Sequence, residues 1–171
     1  MWLTIRCSAY ASVAVLVPSS INRNHELWMR IALEEADAAS VSGEIPIGAI
    51  VVAGDRVIGR GHNRSIGLSD PTGHAEMMAL RDAGARIGNY RLPETIMYVT
   101  LEPCPMCAGA LLHARVGTLV FGTRDLEVGA AGSAMNLLES PLANHRCRVL
   151  AGILESDCRS RLKQFFAQRR L

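Results

Sequence analysis

The sequence has no apolar run of about 18 residues or more, so no segment is expected to cross a bilayer as a helix and no membrane partner is implied. It has no even set of cysteines either. There are five, and two of them sit in a Cys-x-x-Cys. In a chain with ample core this argues against a disulfide framework and for a reducing cytoplasmic setting. Charge of one sign is also missing: the formal net charge is only +2, which says little about partners. Lysine is nearly absent, with Lys163 the one lysine among 18 basic residues. Internal repeats and low-complexity segments are absent.

What is present describes an ordinary globular domain. The chain has 171 residues, of which 49% are hydrophobic and 20% charged, enough for one domain with a full core. The basic residues are unevenly placed. From His145 onward, Arg146, Arg148, Arg159, Arg161, Lys163, Arg169 and Arg170 face only Glu155 and Asp157, an excess of five. Arginine suits phosphate because its planar fork binds two oxygens at once.

Residues 8–17 form a short apolar run behind a lone Arg6. The run lacks the basic start and the small-x-small exit of a signal peptide, which stays as the competing reading. Residues 1–24 are expected to be an extension outside the fold, and 25–171 the domain proper. Helical periodicity runs from His25 to Val41, with Leu27, Ile31, Ala32, Glu35 and Ala36 on one stripe. Pro46–Ala53 and Arg56–His62 read as a hairpin joined by Gly54-Asp55, and Asn63–Gly73 as a loop. A second helix is expected from near His74 with Thr72 as its N-cap, a third strand at Thr95–Leu101, and a third helix at Pro105–Arg115. A fourth strand follows at Thr118–Gly122, then a long connection with a short helix at Met135–Leu138, a fifth strand at Arg148–Ile153 and a closing helix at Leu154–Gln168. This order predicts one mixed sheet between helices, with parallel strands joined by right-handed crossovers and the hairpin as an antiparallel edge.

The chemistry is concentrated in two short stretches, His74-Ala75-Glu76 and Thr100–Ala110. Cys104 and Cys107 fall where a strand passes into a helix, and Pro105 fits the first helical turn, where a missing N–H costs nothing. A helix N-terminus stabilises thiolates, the form of cysteine that binds metal. One imidazole and two sulfurs leave the fourth tetrahedral position of a zinc ion open for water, and Glu76 is close enough to move that water's proton. Cys-Pro-Met-Cys is also the layout of a redox pair, though that reading has no use for His74 and Glu76. A structural zinc site recruiting Cys147 and Cys158 is a further alternative. These two otherwise read as small core residues, Cys7 as incidental, and His25, His62, His113 and His145 as packing or surface residues.

His-Ala-Glu paired with Pro-Cys-x-x-Cys is the signature of the zinc-dependent cytidine and nucleobase deaminases. The likeness extends further. Glu44–Ala49, Asp70-Pro71-Thr72, Tyr98–Cys104, Gly129–Ser133, Asn144-His145-Arg146 and Phe165-Phe166 all resemble the bacterial tRNA-specific adenosine deaminases of the cytidine/deoxycytidylate deaminase superfamily. The resemblance covers about His25 to Arg170. It implies a three-layer α/β/α sandwich with a mixed five-stranded sheet, a homodimer, and one zinc ion (Zn2+) per subunit. It implies hydrolysis of adenosine to inosine at the wobble position of an arginine tRNA, with the anticodon stem-loop as partner. It makes His74, Cys104 and Cys107 the metal ligands and Glu76 the proton shuttle. Asn63 becomes a contact to the splayed-out base, and Asp125 a member of the loop that approaches the RNA backbone. Ser65 stands where the family usually has proline. The extension of 24 residues is longer than usual, and the chain stops at Leu171 without the lysine-rich tail of some members. A relative acting on free guanine or cytosine shares the zinc motif. A metal-bearing RNA-binding module without catalysis is the reading from another class.

Overall fold

The computed structural model describes residues 19–169, the first six by backbone alone; most of the expected N-terminal extension lies outside the described residues. Its helices are α1 (Ser19–Val41), α2 (Ser65–Leu68), α3 (Ala75–Ile87), α4 (Pro105–His113) and α5 (Glu155–Ala167). Its strands are β1 (Gly48–Ala53), β2 (Arg56–His62), β3 (Ile96–Leu101), β4 (Thr118–Thr123) and β5 (Arg148–Ala151). They form one five-stranded sheet in the order β2-β1-β3-β4-β5. β1 is antiparallel to both neighbours, while β3, β4 and β5 are parallel. The architecture is the mixed α/β/α sandwich that the sequence predicts.

Side chains alternate across the sheet with the period of two that extended chains impose. Ala49, Val51, Met97, Val99, Leu119 and Phe121 point to one face, into a core shared with Ala75, Ala79 and Ala83 of α3 and Ala108 and Leu111 of α4. Ile50, Val52, Tyr98 and Val120 point to the other, against Met29, Ala32 and Leu33 of α1 and Cys158 of α5. Arg161 of α5 pairs with Asp37 of α1 across the outside of that second layer. Among the described residues no helix is long and apolar enough to cross a membrane.

The structure corrects several sequence expectations. α1 is already helical at Ser19, the first described residue, ahead of the His25 start that the sequence suggests. Its buried stripe runs through Met29, Ala32, Leu33, Ala36 and Ala39, leaving Leu27 exposed. Thr72 does not cap α3: its N–H and hydroxyl both donate to Asp70 Oδ1, and His74 occupies the N-cap position. The four-residue helix α2 falls inside the expected loop. Met135–Leu138 is not helical, because Gly132 N–H donates to Met135 O and Leu137 N–H to Ala130 O, pairing two extended pieces. The hairpin is not merely an edge: β2 is the edge and β1 lies inside, between β2 and β3.

Two glycines of β2 decide where α3 lies. A Cβ on Gly61 would stand 2.4 Å from Ala79 N and 2.5 Å from Ala75 O, and one on Gly59 would stand 2.4 Å from Ala79 O. Helix and strand therefore meet backbone to backbone, and only hydrogen fits between them. Gly109 in α4 has open space around its missing Cβ. Gly61→Ala is expected to destabilise the fold by about 1–3 kcal/mol through overpacking. Gly109→Ala is expected to be neutral or to gain up to about 1 kcal/mol from helix propensity. Urea unfolding midpoints of the two variants measure this difference.

Candidate active site

Two helix starts meet at one end of the sheet. β2 and β3 run in the same direction with β1 between them; α3 follows β2 after the short α2, and α4 follows β3. His74 is the N-cap residue of α3, with extended backbone (φ −76°, ψ 154°). Cys104 is the N-cap residue of α4 (φ −72°, ψ 172°), with Pro105 opening the helix and Cys107 buried in its first turn. β1, antiparallel to both, therefore separates the two strands whose following helices build the site.

The three donor atoms converge. His74 Nδ1 lies 3.7 Å from Cys104 Sγ and 3.5 Å from Cys107 Sγ. All three lie within 4.8 Å of one another, and among the described residues they form the one such group of histidine, cysteine and carboxylate side chains. A tetrahedral zinc ion with its usual bond lengths sets nitrogen and sulfur roughly 3.6 Å apart. The observed spacings match that figure, and two sulfurs with one imidazole are the donor set zinc favours. The residues present therefore fit the metal. Cys147 and Cys158 are buried elsewhere, in the first and second cores respectively, and burial pushes both thiols up to about 12.

The three donors of the cluster divide their protons unevenly. Cys104 is pulled down to about 4, chiefly by its hydrogen bond with the Cys107 thiol and further by the one with the His74 ring. Cys107 is pushed up by its hydrogen bond with Cys104 and by burial. His74 is held above its ordinary value, first by its hydrogen bond with Cys104. Glu76 lies one residue into α3 and is buried, with its carboxyl raised to about 7, burial being the largest cause. A carboxyl poised there can both accept and give a proton near neutrality.

Asn63 stands beside the start of α3. It is buried just beyond β2, and its Oδ1 accepts the N–H of Ala75 at 3.0 Å, satisfying a free donor of the α3 start. That fixes the amide so that its NH2 group is free to donate. Asp125 lies on the loop after β4. Its Oδ1 accepts the N–H groups of Glu127 (3.0 Å) and Val128 (3.1 Å), so its carboxylate shapes the turn it belongs to. Of the basic C-terminal residues, Arg159 pairs with Glu155 and Arg161 with Asp37, while Arg169 donates to Gly43 O and covers the Phe165 ring. Part of that positive excess is therefore spent inside the fold.

Sequence reasoning missed two buried carboxylates beside the site. Glu44 accepts the N–H groups of Ile66 (3.3 Å) and Gly67 (2.8 Å), holding the loop that follows Asn63. Glu102 accepts from Asp125, Ala131 and Ser133, holding the loop that follows β4. Each was visible only as a charged residue bordering an apolar strand, which is the position that asks for buried partners. The cluster predicts one equivalent of tightly held zinc per chain, with Cys104→Ala and Cys107→Ala each losing it; elemental analysis of the purified variants measures this.

Comparison with known proteins agrees with the geometry. The profile of the MafB19-like deaminase family matches residues 23–170. The tRNA-specific adenosine deaminase of Haemophilus influenzae is 50% identical over 146 residues, covering 85% of this chain and 84% of that protein. The protein of the same name from Bacillus subtilis is 43% identical over 145 residues, covering 85% and 90%. A solved structure from work on A-to-I editing by tRNA:A34 deaminases at the wobble position superposes with a TM-score of 0.77 at 41% identity, covering 80% of this chain and 99% of that one. This chain therefore belongs to the MafB19-like deaminase family, in the company of the bacterial tRNA-specific adenosine deaminases.

Proposed function

We propose that the protein hydrolyses adenosine to inosine at the wobble position of a tRNA anticodon, arginine tRNA being the substrate that the family resemblance names. The observation that carries this is the imidazole–disulfur group with the buried Glu76 beside it, in a chain half identical to a named tRNA-specific adenosine deaminase. His74 Nδ1, Cys104 Sγ and Cys107 Sγ would hold a zinc ion. Bound zinc lowers the pKa of water from its bulk value to roughly 7–9, making a nucleophile available at neutral pH.

The chain's own residues divide the remaining tasks. Glu76 takes a proton from the attacking water and delivers it to the exocyclic nitrogen of adenine. The C6–O bond forms, the C6–N bond breaks, and ammonia leaves with that proton. The burial that raises Glu76 suits both halves of the transfer. Asn63 donates from its side-chain NH2 to the base, its Oδ1 being committed to Ala75. The target must leave its stack to reach such a site, which costs less in a single-stranded anticodon loop than in a duplex. The turn at Asp125 meets the RNA backbone. Arg146, Arg148 and Lys163, which take no part in the ion pairs described above, contribute salt-dependent attraction for phosphate.

The proposal extends to a cytoplasmic homodimer. The outer groove between α3 and α4 supports a second copy, since it is lined by Met77, Leu80, Ala85 and Ala110 and flanked by Ile87 and Tyr90, 52% and 68% exposed. Light scattering at micromolar concentration is expected to give twice the chain mass.

Incubating the zinc-loaded protein with an arginine tRNA transcript is expected to yield inosine at the wobble position, with no ammonia from free guanine, cytosine or adenosine. Ammonia from a free base and none from the transcript would replace the tRNA assignment with a nucleobase one. Glu76→Ala is expected to keep its zinc and lose about 10²–10⁴-fold or more in turnover. Undiminished inosine formation in that variant would remove Glu76 from the mechanism.

A further inference from the structure

The polypeptide between β4 and β5 begins as a loop. From Thr123 to Ser133 its ends are held by the pairing of β4 and by the packing of Ala130 and Ala131 in the core, and its backbone is bonded to the dipeptide Glu102-Pro103, which immediately precedes Cys104. Glu102 N–H donates to Thr123 O at 2.9 Å, and Pro103 O accepts the N–H of Ala130 at 2.8 Å. The Glu102 carboxylate does the rest. Oε2 accepts the N–H of Asp125 at 3.1 Å, and Oε1 accepts those of Ala131 and Ser133, each at 3.0 Å. The Ser133 hydroxyl also donates to Oε2. Glu102 is 2% exposed, and all four of these donors come from the one loop.

The loop is shaped to this carboxylate from its own side as well. A Cβ on Gly129 would fall 2.6 Å from the Glu102 carboxyl carbon and 2.3 Å from Asp125 O, so the chain passes directly over the acid. Asp125 then tightens the exposed turn through its bonds to Glu127 and Val128. What the turn presents outward is Leu126, 79% exposed, and Val128, 50% exposed. Arg124 stands over the Phe121 ring at 5.9 Å and donates to Ser133 Oγ. Exposed apolar groups and a guanidinium on one turn suit the unstacked bases and phosphates of a single RNA strand.

We propose that Glu102 is a positioning residue for RNA: it holds the Arg124–Val128 turn in the shape that receives the nucleotides flanking the target, and it acts on substrate affinity and not on the chemical step. The proposal rests on the tRNA reading for the identity of the strand. Glu102 reaches the substrate only through the loop. Removing its charge and one acceptor oxygen therefore loosens the turn while the cluster, one residue beyond Pro103, keeps its ligands.

The test is steady-state kinetics of Glu102→Gln on an anticodon stem-loop, with zinc content and amide hydrogen exchange measured on the same preparations. Charge-assisted hydrogen bonds of this kind support an expected KM increase of about tenfold or more, with kcat within about threefold of wild type. Zinc is expected to stay at one equivalent, with faster exchange at Asp125, Ala131 and Ser133. Ser133→Ala removes one donor and keeps the acid, and is expected to move KM the same way by a smaller factor, which covers the case in which Glu102→Gln does not fold. Faster exchange with an unchanged KM would overturn the proposal. So would a loss of kcat and zinc together, which would make Glu102 part of the metal scaffold. A wild-type protein that edits no stem-loop would overturn the tRNA reading and this inference with it, whereas an editing wild type with an unaffected Glu102→Gln removes the inference alone.

Discussion

The backbone of α3 lies directly on the backbone of β2, and the site follows from that contact. Gly59 and Gly61 remove the side chains that would otherwise hold the helix off the strand. At that distance the first turn of α3 brings His74 Nδ1 to within 3.7 Å of both sulfurs at the start of α4. A displacement of about 1 Å is enough to spoil a coordination sphere, whose bonds tolerate only about 0.2 Å. The small residues of α3 that face the sheet, Ala75, Ala79 and Ala83, extend the same economy of space. They make the helix a thin spacer between the sheet and the pocket.

Polar groups that would be costly elsewhere are gathered at this end of the sheet, and each has a partner. Glu44, Glu76, Glu102, Asn63, Thr100 and Thr123 are all buried, yet among the described residues no buried side-chain nitrogen or oxygen lacks a hydrogen bond. The division of labour follows from what each one accepts. Glu44 and Glu102 are filled by backbone N–H groups, which makes them fasteners of loops. Glu76 is governed by burial instead, and that is the condition for a carboxyl that exchanges its proton. Three glutamates of one residue type thus take two different parts.

The sheet, the helices of both layers and the metal cluster were legible in the sequence because they rest on local signals. Short continuous apolar runs mark β1, β3 and β4, Pro105 marks the start of α4, and imidazole and thiol chemistry marks the cluster whatever its surroundings. Nonlocal choices were not legible. The place of β1 inside the sheet depends on pairing with β3, with Gly48 N–H reaching Thr100 Oγ1 across 52 positions of sequence. The buried face of α1 turned to Met29 and Leu33 because two apolar stripes were available and the sheet selected one. Thr72 reads as a cap until Asp70 is seen to take both of its donors. The loop-holding parts of Glu44 and Glu102 emerge only when residues more than twenty positions away are brought beside them.

The seat of β1 between β2 and β3 has a consequence for how the molecule assembles. His74 and Cys104 are 30 positions apart, and each is carried by a different strand–helix unit. Those units are joined only after β3 docks on the far edge of the hairpin. Such nonlocal closure raises the contact order and slows folding. A metal held by these residues would have little to grip in the nascent chain beyond the Cys-x-x-Cys pair, so its binding energy would be released mostly on the finished architecture. Binding in that order would make the stability of the native state depend on the concentration of free ion.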